Sequence, residues 1–124
     1  MVGIGRAPAE TGPLRGDIFF VDLPDVGGHV MKGPHPVVVI RSDALRRSTT
    51  VNVVPMTSTA RSMAQQPPYL VAVSSRESGL KRDGFVKCDQ TLTVPATTFD
   101  RRAGRLSPGA LDRVDAALPF VLAL

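Results

Sequence analysis

The stretch LRGDIFFVDL, residues 14–23, is rich in apolar and aromatic residues and predicts a β-strand at the start of the fold. Its centre, residues 18–21, is apolar at consecutive positions, so both faces of this strand are expected to be covered by other parts of the chain. The aromatic residues Phe20, Tyr69 and Phe85 are accordingly predicted to lie in the core.

Shorter apolar runs follow this first strand along the chain. They predict strands at residues 37–40, 49–56, 69–73, 84–88, 91–94 and 105–106. Residues 24–36 and 57–68 are predicted to be long loops, residues 74–83 a polar turn, and residues 41–48 and 95–102 short helical turns. Several short strands followed by one helix predict a mainly β fold with α decoration, namely a small antiparallel barrel.

The last element is predicted to be a helix that begins after residue 107. Ser107 has a hydroxyl that can cap free amide groups, and Pro108 suits the first helical position. One apolar stripe at helical spacing follows: Leu111, Val114, Leu118 and Val121. Pro119 conflicts with an uninterrupted helix and is expected to kink it or to end it near Leu118.

The length of 124 residues fits a single domain, predicted at residues 14–124 after a flexible tail at residues 1–13. No apolar run reaches the roughly 20 residues of a membrane-spanning helix, and the N-terminus lacks the apolar segment of a signal peptide. One cysteine, Cys88, excludes an internal disulfide and fits a reducing compartment. A cytoplasmic location is therefore expected. Cys88 is interpreted as a small buried apolar residue rather than a nucleophile.

The net charge of +4 and the pI of about 10.0 favour an anionic partner, although the same charge would also serve solubility alone. Aromatic residues make up 5% of the chain and tryptophan is absent, which argues against a stacking platform of the RRM type. The sequence contains no phosphate-binding glycine loop, no dinucleotide fingerprint, no nucleophile elbow and no HExxH motif. Nucleotide hydrolysis, dinucleotide chemistry, a hydrolase triad and zinc catalysis are thus unsupported.

Five segments together resemble the MazF, PemK and Kid toxins. They are RGDIFFVDL at 15–23, HPVVVI at 35–40, VVPMTS at 53–58, GFVKCDQ at 84–90, and Leu106-Ser107 followed by Leu111 through Leu118, which resembles the family's C-terminal helix. Each segment alone is unspecific, but their order and spacing match this family over nearly the whole chain.

The resemblance implies an SH3-like, partly open antiparallel barrel of the CcdB/PemK type with a C-terminal helix, paired into a homodimer. It implies the toxin of a type II toxin–antitoxin system, which cleaves single-stranded messenger RNA at selected sequences. The products would carry a 2′,3′-cyclic phosphate and a 5′-hydroxyl, and no metal or other cofactor would be needed. The partner would be an antitoxin whose acidic, disordered tail occupies the same groove as RNA.

Three candidate catalytic residues follow from the resemblance and from the chemistry of such cleavage, which needs a base, an acid and positive charge at the phosphate. Asp89 matches the acidic residue of the family motif RCDQ and is the candidate base. Lys87, where the family has Arg, is expected to share a strand face with Asp89 and to address the same phosphodiester. Thr57 matches the threonine of the family motif VVPxT. A surface ion pair and a threonine placed by strand propensity are the structural alternatives.

Two histidines complete the predicted catalytic set. His29 matches the histidine of the family's GHEQ loop, although Val30 and Met31 replace the glutamate and glutamine that follow it there. His35 stands where the MazF branch has an essential arginine. Three roles are open for His35: general acid, a weaker phosphate clamp, or a sign of an impaired site.

Further polar residues are candidates for RNA contacts, namely Arg15, Ser58, Gln90 and Lys32. Asp17 is interpreted as holding the opening turn. Two other functions remain compatible with the sequence: a CcdB-like inhibitor that binds gyrase and cleaves nothing, and a degenerate relative that binds RNA or antitoxin without turnover. The sequence does not specify the RNA motif, the identity of the antitoxin or the activity of this copy.

Overall fold

The computed structural model of the chain describes residues 12–58 and 67–124. Short 3₁₀ turns at Asp43–Leu45 and Ala96–Thr98 confirm the two predicted helical turns. The described residues form seven strands and two helices in this order: β1 Asp17–Leu23, β2 Gly33–Val39, β3 Thr50–Thr57, β4 Leu70–Val73, α1 Ser75–Ser78, β5 Gly84–Lys87, β6 Leu92–Pro95, β7 Arg102–Arg105 and α2 Pro108–Leu122.

All strands join one antiparallel sheet in the order β4-β5-β3-β2-β1-β7. β3 is the central strand, and it pairs with β6 near its start, where Thr50 faces Pro95, and with β5 at its end, where Thr57 faces Phe85. Residues 88–91 connect β5 to β6 between the two stretches that pair with β3. The result is the curled antiparallel half-barrel that the sequence predicts.

Two apolar cores lie on the two faces of this sheet, because strands with apolar residues at consecutive positions must be covered on both sides. Ile18, Val54 and Val86 lie in the first core, which α2 covers with Val114. The second core contains other apolar strand residues: Phe19, Val21, Leu23, Val37, Val39, Val51, Val53 and Val94.

Phe20 corrects the expectation that β1 is covered along its full length. Its side chain is 60% exposed, whereas its neighbours Phe19 and Val21 are buried. Phe20 shares its sheet face with Ile18, but α2 covers only the Ile18 end of that face. Of the other aromatics predicted to be core, Phe85 is buried and Tyr69 packs partly buried against the first core.

Several strand boundaries differ from the sequence prediction. β1 begins at Asp17 rather than at residue 14, and β7 spans Arg102–Arg105 rather than residues 105–106. β2 begins at Gly33 rather than at residue 37, because β1 pairs with it along its whole length from Ile18↔Val38 to Leu23↔Gly33. β5 ends at Lys87 rather than at residue 88, because the chain turns there. Pro34 and Pro36 obscured the start of β2 in the sequence, since proline is depleted in most strands.

Helix α2 begins as predicted. The Ser107 hydroxyl accepts a hydrogen bond from the Ala110 N–H, and Pro108 opens the helix. The predicted stripe faces the first core, with Val114 and Leu118 buried. The helix continues to Leu122 rather than ending near Leu118, because the partly buried Val121 still packs against that core. No helix of the described residues is long and apolar enough to cross a membrane.

Helix α1 is a single turn within the segment that the sequence predicts as turn-like. Ser74 and Glu77 form a capping box, in which the Ser74 hydroxyl accepts from the Glu77 N–H and the Glu77 carboxylate accepts from the Ser74 N–H. This backbone hydrogen bond, followed by an ion pair with Arg113 of α2, lowers the pKa of Glu77. The turn is therefore held firmly beside β7.

The N-terminal part of the predicted tail, residues 1–11, lies outside the described residues. Pro13 is anchored, because its carbonyl accepts a hydrogen bond of 2.9 Å from the buried guanidinium of Arg41. Arg41 also donates to the carbonyls of Ser48 and Thr50, so it closes the turn that precedes β3. Burial lowers the pKa of Arg41.

Gly104 of β7 allows the strand to approach α1 closely. A Cβ added there would lie 2.2 Å from the Ser78 carbonyl oxygen, which the backbone cannot accommodate without moving. We expect Gly104→Ala to lower the free energy of unfolding by about 1–3 kcal/mol, measured by chemical denaturation. Gly109→Ala is the control, because a Cβ there meets only the Arg113 guanidinium at 4.0 Å and should be neutral or stabilising. Equal stability of the Gly104→Ala variant and the parent would contradict this reading.

Candidate active site

Two of the predicted catalytic residues lie in one row across the sheet. His35 of β2 faces Val21 of β1, and Thr57 of β3 faces Phe85 of β5. The register between β2 and β3 pairs Val37 with Pro55, and its continuation by two residues places His35 opposite Thr57. The β2–β3 ladder stops before this point, where Pro36 and Pro55 lack donor N–H groups. The imidazole and the hydroxyl thus share the face that carries the second core.

Lys87, the last residue of β5, lies beside this row rather than in it, because the β3–β5 register places it level with Pro55. It lies two residues beyond Phe85 and therefore on the same face, as a diagonal neighbour of Thr57 at a Cα separation of about 7–8 Å. Its side chain is half-buried. The register therefore brings a hydroxyl, an imidazole and an ammonium group to one end of the sheet.

Asp89 lies in a tight turn directly after Lys87. The Gln90 N–H donates to the Lys87 carbonyl at 3.0 Å and closes the turn, while Cys88 points into the first core and is fully buried. The strand ends at Lys87, so Asp89 does not belong to it, and a shared face for Lys87 and Asp89 stays a prediction. The carboxylate is instead exposed on the turn beside the end of β5.

Gln90 connects this turn to the long loop between β1 and β2. Its side-chain oxygen accepts from the Met31 N–H at 2.7 Å, and its amide nitrogen donates to the His29 carbonyl at 3.2 Å. Met31 also packs against the second core. The loop that carries His29 is thereby held next to the turn that carries Asp89, and His29 itself is exposed. The side-chain amide of Gln90, a predicted RNA contact, is used within the chain.

Removal of this amide is expected to release the loop. Two hydrogen bonds of about 1 kcal/mol each hold it, so Gln90→Ala should raise the population of the open loop roughly tenfold or more. The measurement is the rate of tryptic cleavage after Lys32, which lies in the tethered segment. Asn52→Ala is the matched control, because that amide donates to the Thr93 hydroxyl at 3.2 Å far from the loop. An unchanged cleavage rate in Gln90→Ala would show that the loop is held by other contacts.

A cleft of about 720 Å³ lies mainly on the other face of the sheet, because Phe20, Pro36 and Met56 in its lining belong to the face of the first core. It brings together three predicted site residues, His35, Thr57 and Ser58, but its lining does not include Lys87, Asp89 or His29. The other lining residues come from β1, β2, β3, the turn before β5, β5 itself and β7: Phe20, Pro34, Pro36, Met56, Gly79, Leu80, Lys81, Arg82, Asp83, Gly84 and Ala103.

The sequence alone could not distinguish the basic residues at the rim of this cleft from ordinary charged surface residues. Lys81 and Arg82 are exposed on the turn between α1 and β5. Asp83, the one acidic residue among the described lining residues, accepts a hydrogen bond of 2.8 Å from the Ser75 N–H and shapes the turn. Only the pairing of β3 with β5 brings this turn next to Thr57, so no local sequence signal could have indicated it.

Two predicted RNA contacts have partners within the chain. Arg15 forms an ion pair of 2.5 Å with Asp115 of α2 and donates to the Ile40 carbonyl, beside a separate cleft of about 580 Å³ that lacks His35 and Thr57. Lys32 forms an exposed ion pair of 3.4 Å with Asp25 within the loop. Arg15 therefore lies apart from the row, whereas Lys32 lies in the loop that Gln90 holds.

Two other side chains that could react, those of Asp17 and Cys88, stabilise the fold instead. Asp17 is buried and binds Arg105 at 2.6 Å and the Leu14 N–H at 2.9 Å, so it holds the opening turn as predicted. Burial raises the pKa of the Cys88 thiol to about 12, which leaves it unreactive and confirms its interpretation as a buried apolar residue. Residues 12–58 and 67–124 contain no group of three or more His, Cys, Asp or Glu side chains that could hold a metal ion.

Comparison with known proteins identifies the family. Residues 14–122 match the family described as "PemK-like, MazF-like toxin of type II toxin-antitoxin system". The chain belongs to this family. It is 30% identical to endoribonuclease EndoA of Bacillus subtilis over 89% of this chain and 94% of EndoA. It is 31% identical to endoribonuclease PemK of Escherichia coli over 75% of this chain and 78% of PemK.

Solved structures of MazF toxins share the fold of this family member. MazF from Deinococcus radiodurans superposes with a TM-score of 0.75 at 19% identity, over 91% of this chain and 98% of that chain. A mycobacterial endoribonuclease, solved in complex with its cognate antitoxin, gives a TM-score of 0.73 at 24% identity, over 91% of this chain and 97% of that chain. The predicted barrel with a C-terminal helix is therefore confirmed.

Proposed function

We propose that this member of the PemK/MazF family is the toxin of a type II toxin–antitoxin system and a metal-independent endoribonuclease that cleaves single-stranded messenger RNA at selected sequences. The observation that carries the proposal is the row in which His35, Thr57 and Lys87 share one end of a sheet face. The turn with Asp89 and the tethered loop with His29 adjoin that row.

The proposed reaction uses the ribose itself as nucleophile. A base removes the 2′-hydroxyl proton, the 2′-oxygen bonds to phosphorus, and the 5′-oxygen leaves with a proton from an acid. The products are a 2′,3′-cyclic phosphate and a 5′-hydroxyl. Because nucleophile and phosphate belong to one nucleotide, proximity is supplied by the substrate, and a few positioned side chains suffice. This is why no metal is required in the proposal.

Each side chain of the site has a proposed role. Asp89, exposed on its turn, accepts the 2′-hydroxyl proton. His29, in the loop that Gln90 holds beside that turn, protonates the leaving oxygen. These two groups act as base and acid, and each is worth about 10²–10⁴-fold in rate when positioned.

The phosphate is held by the row itself in this proposal. Lys87 and the charged form of His35 stabilise the negative charge that develops on the phosphate oxygens, and the Thr57 hydroxyl donates to one of them. Lysine at position 87 supplies a point charge rather than the bidentate fork of arginine. The half-burial of Lys87 strengthens its interaction with the phosphate relative to a fully exposed lysine.

The proposed partners of the protein are inferred from its family and from its positive net charge. MazF structures include complexes with MazE, and a mycobacterial relative was solved with its cognate antitoxin. We infer that this chain forms a homodimer and binds an antitoxin whose acidic, disordered tail competes with RNA for the proposed active site. Its net charge of +4 favours both polyanions. We also infer a cytoplasmic location, where messenger RNA is available.

The test is incubation of the purified protein with a long RNA in excess EDTA, followed by mapping of the cut ends. Discrete cuts with 5′-hydroxyl and cyclic phosphate ends are expected. Cleavage that stops with EDTA and returns with a divalent metal would refute the metal-independent mechanism. Intact RNA under all conditions would refute the enzyme, and inhibition of gyrase by that inactive protein would favour the CcdB-like alternative.

A further inference from the structure

The cleft on the face of the first core opens onto the end of that core which α2 leaves uncovered. Met56 is buried in this core, Leu80 packs against it, and both residues line the cleft. Phe20 lies on the same sheet face and is 60% exposed, although its neighbours in the strand are buried. Such exposure is unusual, because burial of an aromatic ring is favourable. An apolar side chain from outside the chain could therefore extend the core at this place.

Strand pairing fixes the backbone around the cleft. The pairing of β2 with β3 ends at Val37 and Pro55, where Pro36 and Pro55 lack donor N–H groups. Beyond that point β2 stays paired with β1, with Pro36 opposite Phe20, and β3 stays paired with β5. Both sides of the cleft thus belong to paired strands, so the surface is preformed. Binding to a preformed surface costs little conformational entropy on the side of the protein.

One side of the cleft carries a positively charged rim. Lys81 and Arg82 are exposed there, on the turn between α1 and β5. Asp83 lies on the same turn, and its carboxylate accepts a hydrogen bond of 2.8 Å from the Ser75 N–H. Two cations and one carboxylate leave the turn with a net positive charge. A partner that places carboxylates at this rim is favoured, because complementary charges steer association.

The chemistry of the lining favours an apolar side chain over a nucleotide base. Phe20 is the one aromatic ring among the described lining residues, and the other apolar groups are aliphatic: Pro34, Pro36, Met56, Leu80 and Ala103. The side chains of the catalytic row lie on the opposite face of the sheet, so the register does not lead RNA bound there into this cleft. A second copy of the chain is disfavoured, because a two-fold interface would bring the two cationic turns together.

We propose that this cleft docks an acidic peptide segment of a second protein. The segment inserts one apolar side chain against Phe20, Met56 and Leu80, and it places carboxylates beside Lys81 and Arg82. The volume of about 720 Å³ lies within the range of roughly 300–1,000 Å³ that is typical of ligand sites. The inference goes beyond the proposed ribonuclease and does not depend on it, because neither Phe20 nor the cationic turn has a role in RNA cleavage.

The first step of the test selects a probe. The purified protein is used as bait for a phage-displayed library of random peptides that are long enough to cross the cleft, and the selection is repeated with Phe20→Ser. The parent should enrich peptides in which an apolar residue is flanked by Asp or Glu, and the variant should not. Absence of enrichment, enrichment without acidic residues, or equal enrichment by both proteins would overturn the proposal.

The second step measures the affinity of the most enriched peptide, labelled with fluorescein, by anisotropy. Phe20→Ser should raise Kd about 10- to 100-fold, because truncation of a central apolar contact has effects of this size. Phe20→Leu should keep most of the affinity, since the contact is apolar and does not require stacking. Phe120→Ser is the matched control, because Phe120 is 61% exposed on α2 outside the cleft. Equal Kd values for Phe20→Ser and the parent would overturn the docking site.

Charge variants test the rim independently of the apolar contact. Lys81→Gln and Arg82→Gln should each raise Kd about 2- to 5-fold at low salt, and the effect should vanish at high salt, where charges are screened. Arg47→Gln is the control, because Arg47 is exposed and lines neither cleft. Equal Kd values for all three variants at low salt would overturn the role of the rim. Thermal melting should be nearly the same for every variant, because all these positions are exposed.

Three readouts identify other occupants of the cleft and separate this inference from the proposed function. A 2′-O-methylated oligoribonucleotide should leave the peptide bound, and displacement would assign the cleft to RNA. Sedimentation should give the same oligomeric state for Phe20→Ser and the parent, and dissociation of the variant would assign the cleft to a second copy. Phe20→Ser should cleave RNA at the parent rate, and a loss of cleavage would place the ring in the active site. Each of these contrary results overturns the docking site. If the parent cleaves no RNA, the ribonuclease fails, whereas the peptide affinities still decide the docking site.

Discussion

Replacement of the Asp89 carboxylate by the isosteric amide, in Asp89→Asn, is expected to lower kcat for RNA cleavage by about 10²–10⁴-fold. An amide cannot accept the 2′-hydroxyl proton, whereas its size and hydrogen-bonding shape remain close to those of the acid. The turn should persist, because it is closed by the Gln90 N–H and the Lys87 carbonyl rather than by the carboxylate. Single-turnover cleavage of a mapped RNA site measures the effect.

Asp112→Asn is the matched control for this variant, since Asp112 is an exposed acid on α2 away from the site. It removes the same charge from the protein and should cleave at the parent rate. Thermal melting should be nearly the same for both variants. If Asp89→Asn cleaves at the parent rate, the base lies elsewhere, and His29 becomes the first alternative because Gln90 holds its loop beside the same turn.

At position 35, a positive charge is expected to matter more for RNA cleavage than the imidazole ring itself. His35→Ala should lower kcat/KM by about 100-fold or more, because it removes a cation from the developing phosphate charge. His35→Arg should preserve or raise activity, since the guanidinium binds phosphate through two N–H groups and matches the MazF arginine that this chain lacks. Rates of both variants on one RNA substrate measure the contrast.

A variant at the proposed general acid gives an independent readout. His29→Arg is the control, because a cation without a transferable proton at the proposed acid should abolish turnover. Loss of all activity in His35→Arg with an intact fold would show that His35 itself donates a proton.

The strand pattern of this fold could be predicted from sequence because burial on two faces imposes consecutive apolar residues. The stretch from Ile18 to Val21 illustrates both the strength and the limit of that signal. Phe19 and Val21 are buried as expected, but Phe20 is exposed because α2 ends its coverage at Ile18. Whether a sheet face is covered depends on the position of a helix that is distant in sequence. The local pattern of apolar residues does not indicate that position.

The candidate site was only partly predictable for a related reason. Thr57 and His35 could be named from motifs, but their meeting depends on the β2–β3 register. Lys87 and Asp89 were expected to share one strand face, but the strand ends at Lys87 and Asp89 lies in the turn that follows. Lys81 and Arg82 carry no motif at all. They reach the cleft because β5 pairs with the end of β3.

A crystal structure of the protein with an uncleavable RNA, methylated at the 2′-oxygen of the scissile nucleotide, tests the shared site most directly. We expect the scissile phosphate within about 3 Å of the Thr57 hydroxyl and the Lys87 ammonium, with Asp89 facing the 2′-oxygen. Bound RNA that places this phosphate away from the sheet end formed by β2, β3 and β5 would contradict the account.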